Sequence, residues 1–234
     1  MSELERIRQE YAARKKRLGD SNLYLPFNTS HLFSIHQRQR ATLTALRKKG
    51  INSLSDMKIL EIGCGSGKIL AELLNFGANP RSLFGLDLLL DRLVQANTQL
   101  PGSHFVNADG QAIPYQQNSF DLVMQYTALS SILDPAIRKR VADDMIRVLK
   151  PDGLIIWYDF WLNPTNPQTH GIRPVEIKGL FPNYRFEFQK ITLAPPLARH
   201  LVPISWGLAW LLESFRIFNT HYLVMISRKS ESNL

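Results

Sequence analysis

The stretch Lys58-Ile59-Leu60-Glu61-Ile62-Gly63-Cys64-Gly65-Ser66-Gly67-Lys68-Ile69 decides the fold. A short apolar run ends in an acid, three glycines follow at alternate positions, and a helix-like run comes next. That order predicts a strand, a tight turn and a helix. Glycine reaches positive φ without a Cβ penalty, so the backbone can turn sharply here and pass close to a ligand. Such a turn, at the end of a parallel strand and feeding a helix N-terminus, is a common seat for a nucleotide-like cofactor.

Strand and helix signals alternate outward from this turn. Strands are expected at Lys58–Ile62, Ser82–Leu86, His104–Asn107, Phe120–Gln125 and Leu154–Tyr158. Helices are expected at Lys68–Phe76, Leu89–Gln99 and Pro135–Leu149, the last with Ile137, Val141, Met145 and Val148 near helical spacing. Alternation of this kind implies an α/β fold, an open parallel sheet with helices on both faces. Two helices are expected before it, over 2–18 and 31–49, separated by breakers at Gly19-Asp20-Ser21-Asn22 and Pro26. After residue 159 the pattern changes. Residues 159–182 are turn-rich, Tyr184–Leu193 and Thr220–Arg228 alternate as strands, and an apolar helix is expected over 203–218.

The 234 residues, 44% hydrophobic, suit one globular unit with a sizeable core. One cysteine excludes an internal disulfide framework. The charged N-terminus lacks the apolar core of a signal peptide, and the longest apolar run, between Arg199 and Glu213, is too short to span a bilayer. A cytoplasmic location is the expectation, and no metal site is expected. Residues 1–50 hold 11 Lys/Arg against 4 Asp/Glu, so seven units of the +8 net charge sit in an N-terminal arm. Such an arm suits nucleic acid, an anionic surface, or plain solvation.

The glycine turn discriminates among nucleotides. A nicotinamide loop needs G-x-G-x-x-G, and the third slot holds Lys68. A phosphate-cradling loop needs G-x-x-x-x-G-K-[ST], and that spacing fails. Asp87, ending the second strand, suits ribose hydroxyls of either cofactor. An acidic neighbourhood of Glu61 and Asp87 tolerates a cation and repels a pyrophosphate.

The pattern E-I-G-C-G-S-G resembles the first motif of class I S-adenosylmethionine-dependent methyltransferases. Gly85-Leu86-Asp87 resembles the second, whose acid takes the ribose hydroxyls. Asn107-Ala108-Asp109-Gly110 resembles the third, whose Asp meets the adenine amino group. Val148-Leu149-Lys150-Pro151-Asp152-Gly153 resembles the family's L-K-P-G-G turn. The resemblance covers residues 57–158. It implies a Rossmann-like seven-stranded, mostly parallel sheet with an antiparallel last strand. It also implies S-adenosyl-L-methionine as cofactor, contacted by Glu61, Gly63, Cys64, Gly65, Gly67, Asp87, Leu88, Asp109, Gly110, Gln125 and Tyr126. The chain then divides into an N-terminal helical cap, 1–50, and a methyltransferase domain, 51–234, with substrate-side insertions over 159–221.

The acceptor side is less legible. Ser130-Ser131 stands where many relatives carry histidine, so a ready general base is missing there. Asp159, just after the fifth strand, and His170 are the candidate catalytic residues, with His31, His200 and His221 as further options. A P-P-L-A-R…W…L-L-E…T-H-Y tail resembles methyltransferases of bacterial glycan assembly, which implies a sugar or small-molecule hydroxyl as acceptor. The aromatic residues of 203–218 would equally hold an isoprenoid or aromatic acceptor. A helix apolar all round is expected to be buried on the sheet edge, or else to meet a partner or a membrane peripherally. Nucleic-acid methylation is the weaker reading, since no Asn/Asp-Pro-Pro-Tyr/Phe motif follows the fourth strand. A nicotinamide oxidoreductase and a non-catalytic binding module are the rival classes. Oligomeric state is not legible.

Overall fold

The computed structural model describes residues 1–18, 22–25, 27–163 and 166–229. The breakers Gly19-Asp20-Ser21 and Pro26 lie outside the described residues. Helix α1 spans Glu3–Leu18 and α2 spans Thr29–Lys48. The Asn28 side chain caps α2 by accepting the His31 N–H. The alternation then runs β1 (Ile59–Ile62), α3 (Lys68–Asn75), β2 (Leu83–Asp87), α4 (Leu90–Gln99), β3 (His104–Asn107), β4 (Phe120–Tyr126), α5 (Pro135–Val148) and β5 (Leu149–Phe160). Asp134 caps α5 by accepting the N–H groups of Ala136 and Ile137, and Pro135 fills the first helical position. The C-terminal part holds α6 (Pro174–Leu180), β6 (Tyr184–Leu193), α7 (Pro195–Leu201), α8 (Trp206–Ser214) and β7 (Asn219–Arg228).

The seven strands pair in the order β3-β2-β1-β4-β5-β7-β6. The strands β1 to β5 are parallel, and β7 runs antiparallel between β5 and β6. This is the expected Rossmann-like arrangement. Glu61 pairs with Gly85 and Met124, and Ile62 with Leu86 and Gln125. The strand ends that carry the glycine turn, Asp87 and Gln125 therefore lie side by side.

The sheet is sealed on both faces. On one, Leu60, Ile62, Val123, Ile155 and Trp157 pack under Val141, Met145 and Val148 of α5. On the other, Ile59, Leu122, Met124 and Ile156 pack under Leu70 and Leu73 of α3 and Ala41, Ala45 and Leu46 of α2. The two sets alternate along each strand, as a pleated sheet requires. Asp121 has a structural task at the sheet's lower edge: its carboxylate accepts the Lys58 N–H at 2.8 Å and pairs with Lys150 at 2.7 Å.

Two parts of the C-terminal half depart from expectation. The turn-rich stretch contains the short helix α6, which starts on Pro174 and buries Ile177 and Leu180. The apolar helix expected over 203–218 is α8 alone. Ser205 caps it by accepting the Leu208 N–H, and α7 precedes it as a separate helix. The larger correction concerns burial. Of α8 only Ala209 and Glu213 are buried, and its large apolar side chains face outward.

Candidate functional site

The glycine turn after β1 is held against β2 by backbone bonds. The N–H groups of Gly63 and Cys64 both donate to the Leu86 carbonyl, at 2.7 and 3.0 Å. Gly63, Gly65 and Gly67 all have positive φ, at 70°, 55° and 79°. A Cβ on Gly63 would stand 2.6 Å from the Ala128 Cβ, and one on Gly65 would overlap the Arg92 guanidinium. The alternate glycines are thus required by backbone geometry and by space together.

An open cavity lies above this turn. Gly63, Asp87, Leu88, Asp109 and Gly110, all expected from the sequence, line it. Apolar walls come from Ile62, Leu86, Leu129, Ile137 and Val141, and among the described residues no Lys or Arg lines it. The Asp87 carboxylate accepts the N–H of Gly65 at 2.7 Å and of Leu89 at 2.9 Å. The Asp109 carboxylate is oriented by the backbone and side-chain N–H groups of Gln111, at 2.9 and 2.8 Å. Each carboxylate oxygen keeps lone-pair capacity for a ligand.

The other expected residues sit around the cavity. Gln125 is fully buried, and its Oε1 accepts the N–H of Ala128 at 3.0 Å. It braces the loop that carries Ala128 and Leu129. Gly65 and Gly67 shape the turn from below. Cys64 turns its thiol toward Gly85, and burial raises that thiol's pKa. Tyr126 packs on the opposite sheet face, its hydroxyl 3.3 Å from Thr42 Oγ1, and burial raises its pKa. Glu61 also belongs to that opposite face, since Leu60 and Ile62 occupy the cavity side. Burial, with Glu72 nearby, raises its pKa well above the carboxylate range. Its Oε2 has no hydrogen-bond partner among the described residues. The acidic lip of the cavity is therefore Asp87 with Asp109, not Asp87 with Glu61.

Asp159 and His170 meet at the loop after β4 without lining the cavity. Asp159 is 1% exposed; its Oδ2 accepts the Ser130 N–H at 3.1 Å and its Oδ1 the Phe160 N–H at 3.0 Å. Burial pushes its pKa up to about 7. The His170 N–H donates to the Ser130 carbonyl at 2.8 Å, and its Nε2 lies 2.9 Å from Glu176. The Ser130 backbone is thus clamped from both sides. His221 is partly buried, stacked on Tyr158 at 4.8 Å, with its pKa lowered to about 3 by desolvation.

Beyond the apolar walls, the residues missed by sequence reasoning come from α1. Leu4, Ile7 and Tyr11 line the cavity. The helix is pinned there by Arg6 to the Ser131 carbonyl, by the Leu133 N–H to Glu3, both at 2.5 Å, and by Tyr11 to Ser131 Oγ at 3.2 Å. Their spacing of three and four residues is a helical stripe, the one signal that could have found them.

This donor set fits S-adenosylmethionine. Its ribose hydroxyls and adenine amino group are hydrogen-bond donors suited to two carboxylates, and its apolar ring suits the walls. Its positive charge and lack of phosphate match a lining without cations. Among the described residues no cluster of His, Cys, Asp or Glu could hold a metal ion.

Comparison with known proteins agrees. Residues 59–153 match a protein family described as a methyltransferase domain. Phthiotriol/phenolphthiotriol dimycocerosates methyltransferase 1 of Mycobacterium ulcerans is 36% identical over 115 residues, 48% of this chain and 40% of that protein. The malonyl-acyl-carrier-protein O-methyltransferase of Marinomonas sp. is 32% identical over 102 residues, 42% of this chain and 36% of that protein. The chain therefore spans about two fifths of the length of these relatives. Among solved structures, an S-adenosylmethionine-dependent methyltransferase from Mesorhizobium loti superposes with TM-score 0.59 at 19% identity, covering 80% of this chain and 98% of that one. One from Archaeoglobus fulgidus gives 0.57 at 16%, covering 85% and 98%. At these identities the structures speak for the fold.

Proposed function

We propose, from the premise that this chain carries a class I S-adenosylmethionine-dependent methyltransferase domain, that it methylates a hydroxyl of a small-molecule or glycan acceptor. The observation that carries the reading is the cavity against the glycine turn, with two carboxylates and, among the described residues, no cation in its lining. When bound, S-adenosylmethionine supplies an electrophilic methyl on a positively charged sulfur.

The chain's own residues orient and shield. Asp87 would accept the ribose hydroxyls and Asp109 the adenine amino group, while the Gly63 turn lets the backbone approach the remainder. Leu88, Leu129, Ile137 and Val141 exclude water from the purine, and Gln125 fixes the wall that carries Leu129. Much of the rate in a direct displacement comes from such alignment. Asp159 and His170 act through Ser130, as positioning residues for the loop between β4 and α5. The acceptor proton then leaves to solvent or to a group of the acceptor itself.

A second reading, a lipid-linked acceptor, is favoured by the outward apolar face of α8. It also accords with the lipid named in the Mycobacterium ulcerans relative. Calorimetric titration with S-adenosylmethionine, its homocysteine product and NAD tests the cofactor. Binding of the first two and not of NAD is expected, and the reverse would sink the proposal. Incubation with methyl-labelled cofactor and fractionated extracts tests the acceptor. Base-stable label in a glycan or small-molecule fraction is expected for an ether. Label confined to nucleic acid would overturn the assignment.

A further inference from the structure

We propose that α8 and the residues flanking it form a docking surface for an anionic lipid bilayer. The inference stands apart from methyl transfer, because it concerns a face that makes no part of the cavity. That face is built the reverse of an ordinary surface helix. Its polar residue points inward: Glu213 is buried and accepts the Thr192 N–H at 3.3 Å. Its aromatic and aliphatic residues point outward. Ile204 is 78% exposed, Phe215 61% and Ile217 73%, with Trp206, Trp210 and Leu211 exposed beside them. Large apolar side chains exposed together along one helix and its flanks mark an interaction site.

The charges around it select the partner. Glu213 is the one acid among residues 194–218, and it is sealed inside. The exposed charges are Arg199 and Arg216, with Arg40 of α2 beside them, its guanidinium 5.8 Å from the Trp210 ring and ion-paired with Glu213 at 3.8 Å. Apolar aromatics ringed by arginine match the acyl–headgroup boundary of an anionic leaflet. A second copy would bring the same cations against these and be repelled. Nine residues of helix measure about 14 Å, so α8 would lie in the plane of the interface.

The topology places this surface at the working edge of the sheet. Strands β6 and β5 both run antiparallel to β7, so β6 is parallel to β5. The C-terminal end of β6, from which α7 and α8 emerge, is therefore at the same edge as the glycine turn. A bilayer held there would face the side from which an acceptor enters.

The test uses the whole chain with vesicles of phosphatidylcholine alone and of phosphatidylcholine with phosphatidylglycerol. Flotation with the anionic vesicles, a blue shift of tryptophan emission and weakening by added salt are expected. The double variant Trp210→Ser/Phe215→Ser should bind at least tenfold more weakly, and Arg199→Glu/Arg216→Glu should lose its preference for anionic vesicles. Thermal midpoint and S-adenosylmethionine binding, measured on both variants, confirm that they fold. Failure to float with anionic vesicles overturns the proposal. So does equal binding by folded variants, or a dimer in sedimentation that Trp210→Ser/Phe215→Ser dissolves.

Discussion

Asp159 and Asp87 are both acids at the ends of strands, and the fold treats them oppositely. Asp159 is sealed, and burial pushes its pKa up to about 7 from an ordinary carboxyl value of 3.8. Between these values the folded chain binds a proton that the unfolded chain has released, so stability falls as pH rises through that window. The loss is complete above pH 7 and amounts to at most about 4 kcal/mol. Asp159→Asn should flatten the fall of the thermal midpoint between pH 4 and 7, while Glu61 and Glu72, also raised by burial, keep part of it. An unchanged slope in the variant would refute the assignment. Asp87→Ala removes an acceptor from the cavity lip and leaves the Gly65 and Leu89 N–H groups without their partner. Charge-assisted bonds contribute about 1.5–3 kcal/mol each, so cofactor affinity should fall roughly 10- to 100-fold in calorimetric titration. Gly63→Ala forces a Cβ against Ala128 at positive φ and should cost about 2–5 kcal/mol in denaturant unfolding. The sequence points to Gly63 and Asp87 because a turn motif names its own backbone. Glu61 was misplaced because only the pairing of Leu60 and Ile62 with the cavity side shows which face it takes.

Among the elements, α1 has the most to do with the cavity and the least to do with the core. It contributes Leu4, Ile7 and Tyr11 to the lining and is fastened by Glu3 and Arg6 to residues 131–133. The double variant Glu3→Ala/Arg6→Ala should free this helix. Cofactor dissociation in stopped-flow should accelerate about tenfold, as expected when two charge-assisted bonds of about 1.5 kcal/mol or more are coupled only in part to binding. Hydrogen exchange should rise in α1 and stay unchanged in β1 and β4. Equal protection in α1 would show that other contacts hold it. The strands of the cofactor half were legible because each is a short apolar run closed by an acid or a turn. The role of α1 was not, because Arg6 and Ser131 lie 125 positions apart and no local pattern links them. The fate of α8 was hidden for a related reason. Composition shows that a helix is apolar all round but not how much of it is covered, and here only Ala209 and Glu213 are buried.

At the scale of the whole molecule, the basic arm is less free than its charge suggests. Lys15 pairs with Asp91, Arg17 with Glu10, Arg38 with Glu72 and Lys49 with Glu187. Ion pairs of this kind reduce the positive charge that the arm offers to a phosphate backbone. An electrophoretic mobility assay with single- and double-stranded RNA at physiological salt should show no retained complex, and saturable retention would contradict this. The sheet order has a consequence for how the chain is made. Strand β7 lies between β5 and β6, so β5 lacks its second neighbour and β6 its only one until residues 219–228 have been synthesised. On the ribosome the half from β1 to β5 can pair in order as it emerges, with Trp157 and Ile155 of β5 left on an open edge. For that interval the nascent chain presents a long unpaired strand, the kind of edge that draws chaperones or other chains. The last strand to appear is the one that closes the sheet, and the time before its arrival is when this protein is most exposed to misassembly.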